Sequence, residues 1–201
     1  MGRGSFANRG GSGGGAIQNT GIENGMMYAG GLIQEKVDDI TDSIKPDSTG
    51  LVPSQVMKKA GSDLNKLMDV GDQFEITFAD GTKKTYEKIS STNFQSGQFT
   101  YKSVQVANDI AAYKYPNPNL KAANLKFTIN RKLSQAQQNA ADSIMSRVKQ
   151  IKGTGLKFSM QADRTISFQY KNSQGNSVYG GINKNGVAKI MQVFGGTQGG
   201  F

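Results

Sequence analysis

The sequence predicts an α+β protein: a small antiparallel meander with helices, then a basic antiparallel sheet packed on one helix, between flexible glycine-rich termini. Apolar residues recur at helical spacing in some stretches and alternate with polar ones in others, two periods that separate helix from strand. The cations are also unevenly placed. Residues 120–201 hold twelve lysines and arginines against Asp142 and Asp163, a net +10, so the rest of the +9 chain sums to about −1. A positive field confined to one lobe suits a polyanionic partner.

Leu32, Ile33, Val37, Ile40 and Ile44 predict an amphipathic helix with Glu35, Asp38, Asp39 and Asp42 on its other side, ended by Pro46. A second helix is expected from near Ser54 on the stripe Val56, Met57, Ala60, Leu64 and Leu67, weakened by Gly61. Phe74, Ile76 and Phe78 alternate before Asp80-Gly81, which predicts a hairpin closed by a two-residue type I′ turn, with a return strand over 83–89. A turn near Gln95-Ser96-Gly97 leads into a strand over 98–101. A helix over 103–113 turns Val106, Ala107, Ile110 and Ala111 inward. Tyr115-Pro116-Asn117-Pro118 then reads as the internal boundary, because paired prolines stop regular structure.

In the basic lobe Leu125, Phe127 and Ile129 predict the first strand. Ser134 and Gln137 form a capping box for a helix with Ala136, Ala140, Ala141, Ile144, Val148 and Ile151 along one face and Gly153 as its C-cap. Leu156, Phe158 and Met160 predict one strand, and Ile166, Phe168 and Tyr170 the next. Turns are expected over 172–175 and 183–186. Val187, Ile190, Met191 and Phe194 fit a final helix or a strand, and their spacing prefers the helix. The expected organisation is a glycine-rich N-terminal arm (1–31), a helical and meander region (32–114), a basic lobe (119–194) and a glycine-rich tail (195–201).

The chain has no cysteine and no histidine. Disulfide frameworks, thiolate metal sites, histidine-based catalysis and zinc hydrolysis are therefore excluded. Asp38 and Asp42 are four residues apart and could share a divalent cation, but such a cluster is more often a solvated face. No phosphate-cradling glycine motif is present. The expectation is a protein that binds rather than catalyses and needs no metal or cofactor. No apolar run has the length of a membrane span and no signal-peptide core precedes the fold, so a soluble protein outside the membrane is expected.

The candidate nucleic-acid or partner-binding residues are Lys126, Arg131, Lys132, Arg147, Lys149, Lys152, Lys157 and Lys171. Strand parity and helix phase turn Lys126, Lys157, Lys171, Arg147, Lys149 and Lys152 to solvent. Phe127, Phe158, Phe168 and Tyr170 share the core parity, which leaves Tyr179 as the exposed aromatic best placed for base stacking. Arg3 and Arg9 in the opening glycine tract offer a short RGG-like arm.

The opening MGRGS with its glycine run resembles small accessory proteins of bacteriophages and mobile elements of Firmicutes-type bacteria, and FADGTKKTYEKIS followed by SVQVAND is similar to a hairpin-plus-helix unit in such proteins. The resemblance carries no functional residue. It implies a setting, the bacterial host cytoplasm or a virion, and a group that includes virion components, DNA-handling proteins and anti-CRISPR inhibitors of host defence. The leading expectation is a phage- or element-encoded protein that contacts nucleic acid, or a nucleic-acid-bound host protein such as a CRISPR effector, through its basic lobe. The alternative is a virion structural protein that uses its glycine-rich arms in self-assembly.

Overall fold

The fold is α+β. The structure, a computed structural model, describes residues 20–23, 25–29, 32–117 and 121–194. The expectations for the opening glycine tract, Arg3 and Arg9 included, and for the tail over 195–201 lie outside those residues. The chain divides into two compact units, a contiguous one within 31–130 and a two-segment one within 1–30 and 131–201. It begins with β1 (Ile22–Glu23) and β2 (Met26–Tyr28). It then builds α1 (Leu32–Ser43), α2 (Ser54–Leu67), β3 (Gln73–Thr77), β4 (Lys83–Lys88), β5 (Asn93–Ser96), β6 (Phe99–Lys102), α3 (Ser103–Lys114) and β7 (Lys126–Lys132). It ends with α4 (Gln135–Gln150), β8 (Thr154–Met160), β9 (Ile166–Lys171), β10 (Ser177–Ile182) and β11 (Ala188–Phe194).

In the contiguous unit the antiparallel strand order is β7-β3-β4-β5-β6. Phe74 and Ile76 of β3 face the same way as Tyr86, Phe127 and Ile129, their cross-strand partners or neighbours, and form the apolar side. The strand expected to open the basic lobe is thus β7, paired with β3 across residues 126–130. Helix α1 buries Ile33, Val37 and Ile40, with Ile44 just beyond it, as their spacing predicts, whereas Leu32 of the same stripe is exposed. A Cβ at Gly61 would stand 2.7 Å from the Ser103 carbonyl oxygen. The residue that argues against α2 in isolation is the one that lets α3 approach it.

Two buried lysines finish two helices. The last carbonyls of a helix lack intrahelical donors. Lys114 Nζ donates to the Thr41 and Ile44 carbonyls at the end of α1, at 2.6 and 3.0 Å. Lys88 Nζ donates to the Asn65 and Met68 carbonyls at the end of α2, at 2.7 and 2.8 Å. Burial holds the Lys114 ammonium below the ordinary lysine value; the Asp42 charge opposes that shift and Lys45 adds to it.

The Asp80-Gly81 hairpin is not a type I′ turn. Gly81 N–H donates to the Phe78 carbonyl at 2.9 Å and Phe78 N–H to that of Thr82 at 2.8 Å, and only Gly81, at φ +89°, is left-handed. The loop is therefore a type I turn followed by a glycine bulge, the three-residue solution. The same two-bond pattern closes 47–51, 161–165, 172–176 and 183–187, with Gly50, Arg164, Gly175 and Gly186 in the left-handed position. Arg164 stands where the others have glycine, and its guanidinium donates to the Lys132 carbonyl at 2.8 Å.

In the two-segment unit an antiparallel sheet of order β11-β10-β9-β8 is covered on one face by α4. Ala141 and Val148 pack with Leu156, Phe158, Met160, Ile166, Phe168 and Ile182. The β1–β2 hairpin adds Ile22 and Met27 to that core, so these two residues, within the stretch expected as an arm, belong to the folded body. The Ser134 capping box forms as predicted: the hydroxyl accepts from Gln137 N–H at 3.1 Å and the Gln137 side chain accepts from Ser134 N–H at 3.3 Å. At the other end Gly153 is not the left-handed cap. Lys152 takes that conformation, at φ +58°, and Gly153 N–H reaches back to the Val148 carbonyl at 2.8 Å. This is a Schellman motif with lysine in the glycine position. Gly153 serves packing instead, since a Cβ there would stand 2.8 Å from Val148 Cγ1.

The expected final helix is the strand β11. Tyr179 pairs with Gln192 but Gly180 with Ile190, so Met191 is an extra residue. A bulge breaks the two-residue alternation and leaves apolar residues at intervals that imitate a helix.

Lys152→Gly removes left-handed strain and raises stability by about 1 kcal/mol, whereas Gly153→Ala lowers it by about 1–3 kcal/mol through overpacking. Urea denaturation of the two variants reads both signs. Lys114→Met leaves two buried carbonyls without a donor and costs about 2 kcal/mol or more, seen as a lower urea midpoint at unchanged slope.

Candidate nucleic-acid interface

The four strands β8–β11 contain no Asp or Glu, and their three charged residues are Lys157, Lys171 and Lys189. Alternation decides where these point. Leu156, Phe158, Met160, Ile166 and Phe168 are buried against α4, so the intervening residues project from the opposite face. Strand pairing arranges that open face in rows. One row runs Lys157, Gln169, Tyr179, Gln192. Beside it lie Lys171, Ser177 and Phe194 on one flank and Ser159, Ser167, Gly181 and Lys189 on the other. Tyr179 and Phe194 are 37% and 39% exposed and meet edge to face, with ring centroids 5.4 Å apart. At a strand spacing of about 4.8 Å, Lys157 sits roughly 10 Å from Tyr179 across the sheet. Gln161 at the sheet's end donates to Ser167 Oγ at 3.0 Å.

The sequence-derived cations do not form one patch. Lys157 and Lys171 share the open face. Arg147 and Lys149 are exposed on α4, which covers the other face, and Lys152 is exposed at that helix's end. Lys126 and Lys132 are exposed on β7. Arg131 is a correction: it is buried, 4% exposed, and is no surface cation. Two-residue alternation places it with Phe127 and Ile129 rather than with Lys126 and Lys132. The charged and aromatic members of the open face that were not among the candidates are Lys189 and Phe194. Both were hidden by the helical reading of the last segment, and only the bulge reveals their parity.

A second cluster, in the contiguous unit, surrounds Lys84. Its Nζ lies 3.4 Å from the hydroxyls of Tyr101 and Tyr113, and 5.4, 5.5 and 5.9 Å from the ring centres of Tyr86, Tyr101 and Tyr113. Asp109 Oδ2 stands 3.9 Å from the ammonium and accepts from the Tyr86 hydroxyl at 2.6 Å. Burial works against the Lys84 charge, but the Tyr113 and Tyr101 hydroxyls more than offset it and hold the amine above its ordinary value. Burial, then the bond to Asp109, pushes the Tyr86 phenol well up. A charged amine and a neutral phenol at neutral pH make a packed cation–π cage, not a proton-transfer pair.

Several carboxylates elsewhere have local partners. Asp47, Asp80 and Asp163 each accept from a threonine hydroxyl and N–H two residues on, contacts that hold them below the usual range. Glu75 is buried against Lys83 at 3.1 Å and Asn130 at 2.9 Å. Asp38 accepts from Gln34 at 2.9 Å. Among the described residues no three acidic side chains converge as metal ligands, and no helix is long and apolar enough to cross a membrane. No protein-family model matches this chain, and neither a curated protein nor a solved structure matches it.

Proposed function

We propose that the protein is a non-enzymatic binder of nucleic acid, or of a nucleic-acid-bound host protein, and that it acts in the phage or mobile-element setting its opening sequence resembles. One observation carries the reading. The open face of the β8–β11 sheet collects every charged residue of those strands, all of them lysine, around an exposed aromatic pair. Lysines spread over a surface without carboxylates track phosphates and release counterions. Arg147 and Lys149 add positive field from the other side of the unit but contact no ligand on this face.

The triple variant Lys157→Gln, Lys171→Gln, Lys189→Gln is expected to bind nucleic acid more weakly and to flatten the salt dependence of binding by about two to three units. The pair Arg147→Gln, Lys149→Gln is expected to change both much less. Fluorescence anisotropy across a salt series reads the two slopes. Equal slopes for the triple variant and the parent would reject the sheet face.

A second reading, a virion structural protein, is favoured by β11. This edge strand exposes Ile190, Met191, Val193 and Phe194, the kind of edge on which strands of another copy pair. A stable oligomer by light scattering that dissociates on Ile190→Lys with Val193→Lys would transfer the assignment to that reading.

A further inference from the structure

We propose that the open sheet face recognises single-stranded rather than duplex nucleic acid, with bases stacked on Tyr179 and Phe194 and seated over Gly181, and phosphates met by Lys157, Lys171 and Lys189. This rests on the nucleic-acid reading above and names its substrate class. Three features separate the two forms of ligand. A duplex hides its base faces and offers phosphates and groove edges, whereas an unpaired strand offers π surfaces that stack on aromatic side chains. Tyr179 and Phe194 hold two rings at 5.4 Å on a face otherwise made of lysine, glutamine, serine and glycine, with the Met191 thioether beside Gly181. Neither ring joins the core, where Phe158 and Phe168 supply the aromatic packing.

Gly181 is the second feature. Its neighbour Gly180 is dictated by packing, because a Cβ there would collide with the Phe168 ring and stand 2.6 Å from the Lys189 carbonyl oxygen. Gly181 has no such reason. A Cβ at Gly181 would meet only the Ile166 carbonyl oxygen at 3.4 Å and Met191 Sδ at 3.8 Å, ordinary contacts, and its φ is not left-handed. Glycine weakens a strand interior, and it is found where another surface comes close to the backbone. Gly181 lies on the face and strand of Tyr179, two positions away, and gives a flat base a floor beside the ring. The third feature is the pair Gln169 and Gln192, which flank Tyr179 in its row. Their amides both donate and accept, so they meet base edges without selecting one base.

The test uses the full chain with a labelled oligothymidylate of about 20 nucleotides, a duplex of the same length, and inorganic polyphosphate as a polyanion without bases. The parent is expected to bind the single strand at least about tenfold more tightly than the duplex. Tyr179→Leu with Phe194→Leu is expected to lose about ten- to a hundredfold for the single strand while duplex and polyphosphate binding stay within about twofold. Tyr179→Phe keeps the ring and is expected to keep the affinity. Gly181→Val is expected to weaken single-strand binding by about tenfold while raising the urea midpoint, since a β-branched residue suits a strand better than glycine. A purely structural glycine would lower that midpoint. Equal or tighter duplex binding by the parent, or an unchanged single-strand affinity in the leucine double variant, overturns the inference. If the lysine triple variant still loses polyphosphate, the broader reading survives alone. Absence of binding to all three probes by the parent ends both.

Discussion

One helix has to cover one face of a four-stranded sheet, and most of the two-segment unit follows from that constraint. Helix α4 supplies Ala141 and Val148 to a core completed by alternate residues of β8, β9 and β10. Small residues admit it where it comes close. A Cβ at Gly186 would stand 2.6 Å from the Ala136 carbonyl oxygen, and Gly153 lies under Val148. Once one face is committed to apolar contact, the other alternates must meet solvent, and those alternates are lysine, glutamine, serine and tyrosine. The charge distribution of the face is a by-product of the core's period.

The contiguous unit solves a different problem with the same residue type. Its helices end inside the unit rather than at the surface, and their final carbonyls need donors that a short side chain cannot supply. Lys88 and Lys114 reach them from β4 and from the last residue of α3. Lysine therefore has several environments in one chain, among them buried cap, aromatic cage at Lys84, and open sheet face. Net charge alone does not distinguish them.

Periodicity and local turn chemistry made the element types legible for α1 through α4 and for the strands with strict alternation. The Ser134 box was readable because all its parts lie within four residues. What failed was non-local. Whether the 125–129 strand joins β3 or β8 depends on pairing across some fifty residues, which spacing cannot express. The bulge at Met191 disguised a strand as a helix and with it the position of Lys189 and Phe194. Arg131 shares the odd-numbered parity of the buried Ile129, a local signal that its charge masks. The β1–β2 hairpin had a usable signal, the Asn24-Gly25 dipeptide between the paired residues Glu23 and Met26, that glycine abundance obscured.

The chain order of the two units has a bearing on synthesis. The unit within 31–130 is continuous, so it can complete its fold as soon as it leaves the ribosome. The hairpin over 22–28 emerges earlier but packs on residues translated more than a hundred positions later. Until then Ile22 and Met27 lack the core against which they pack.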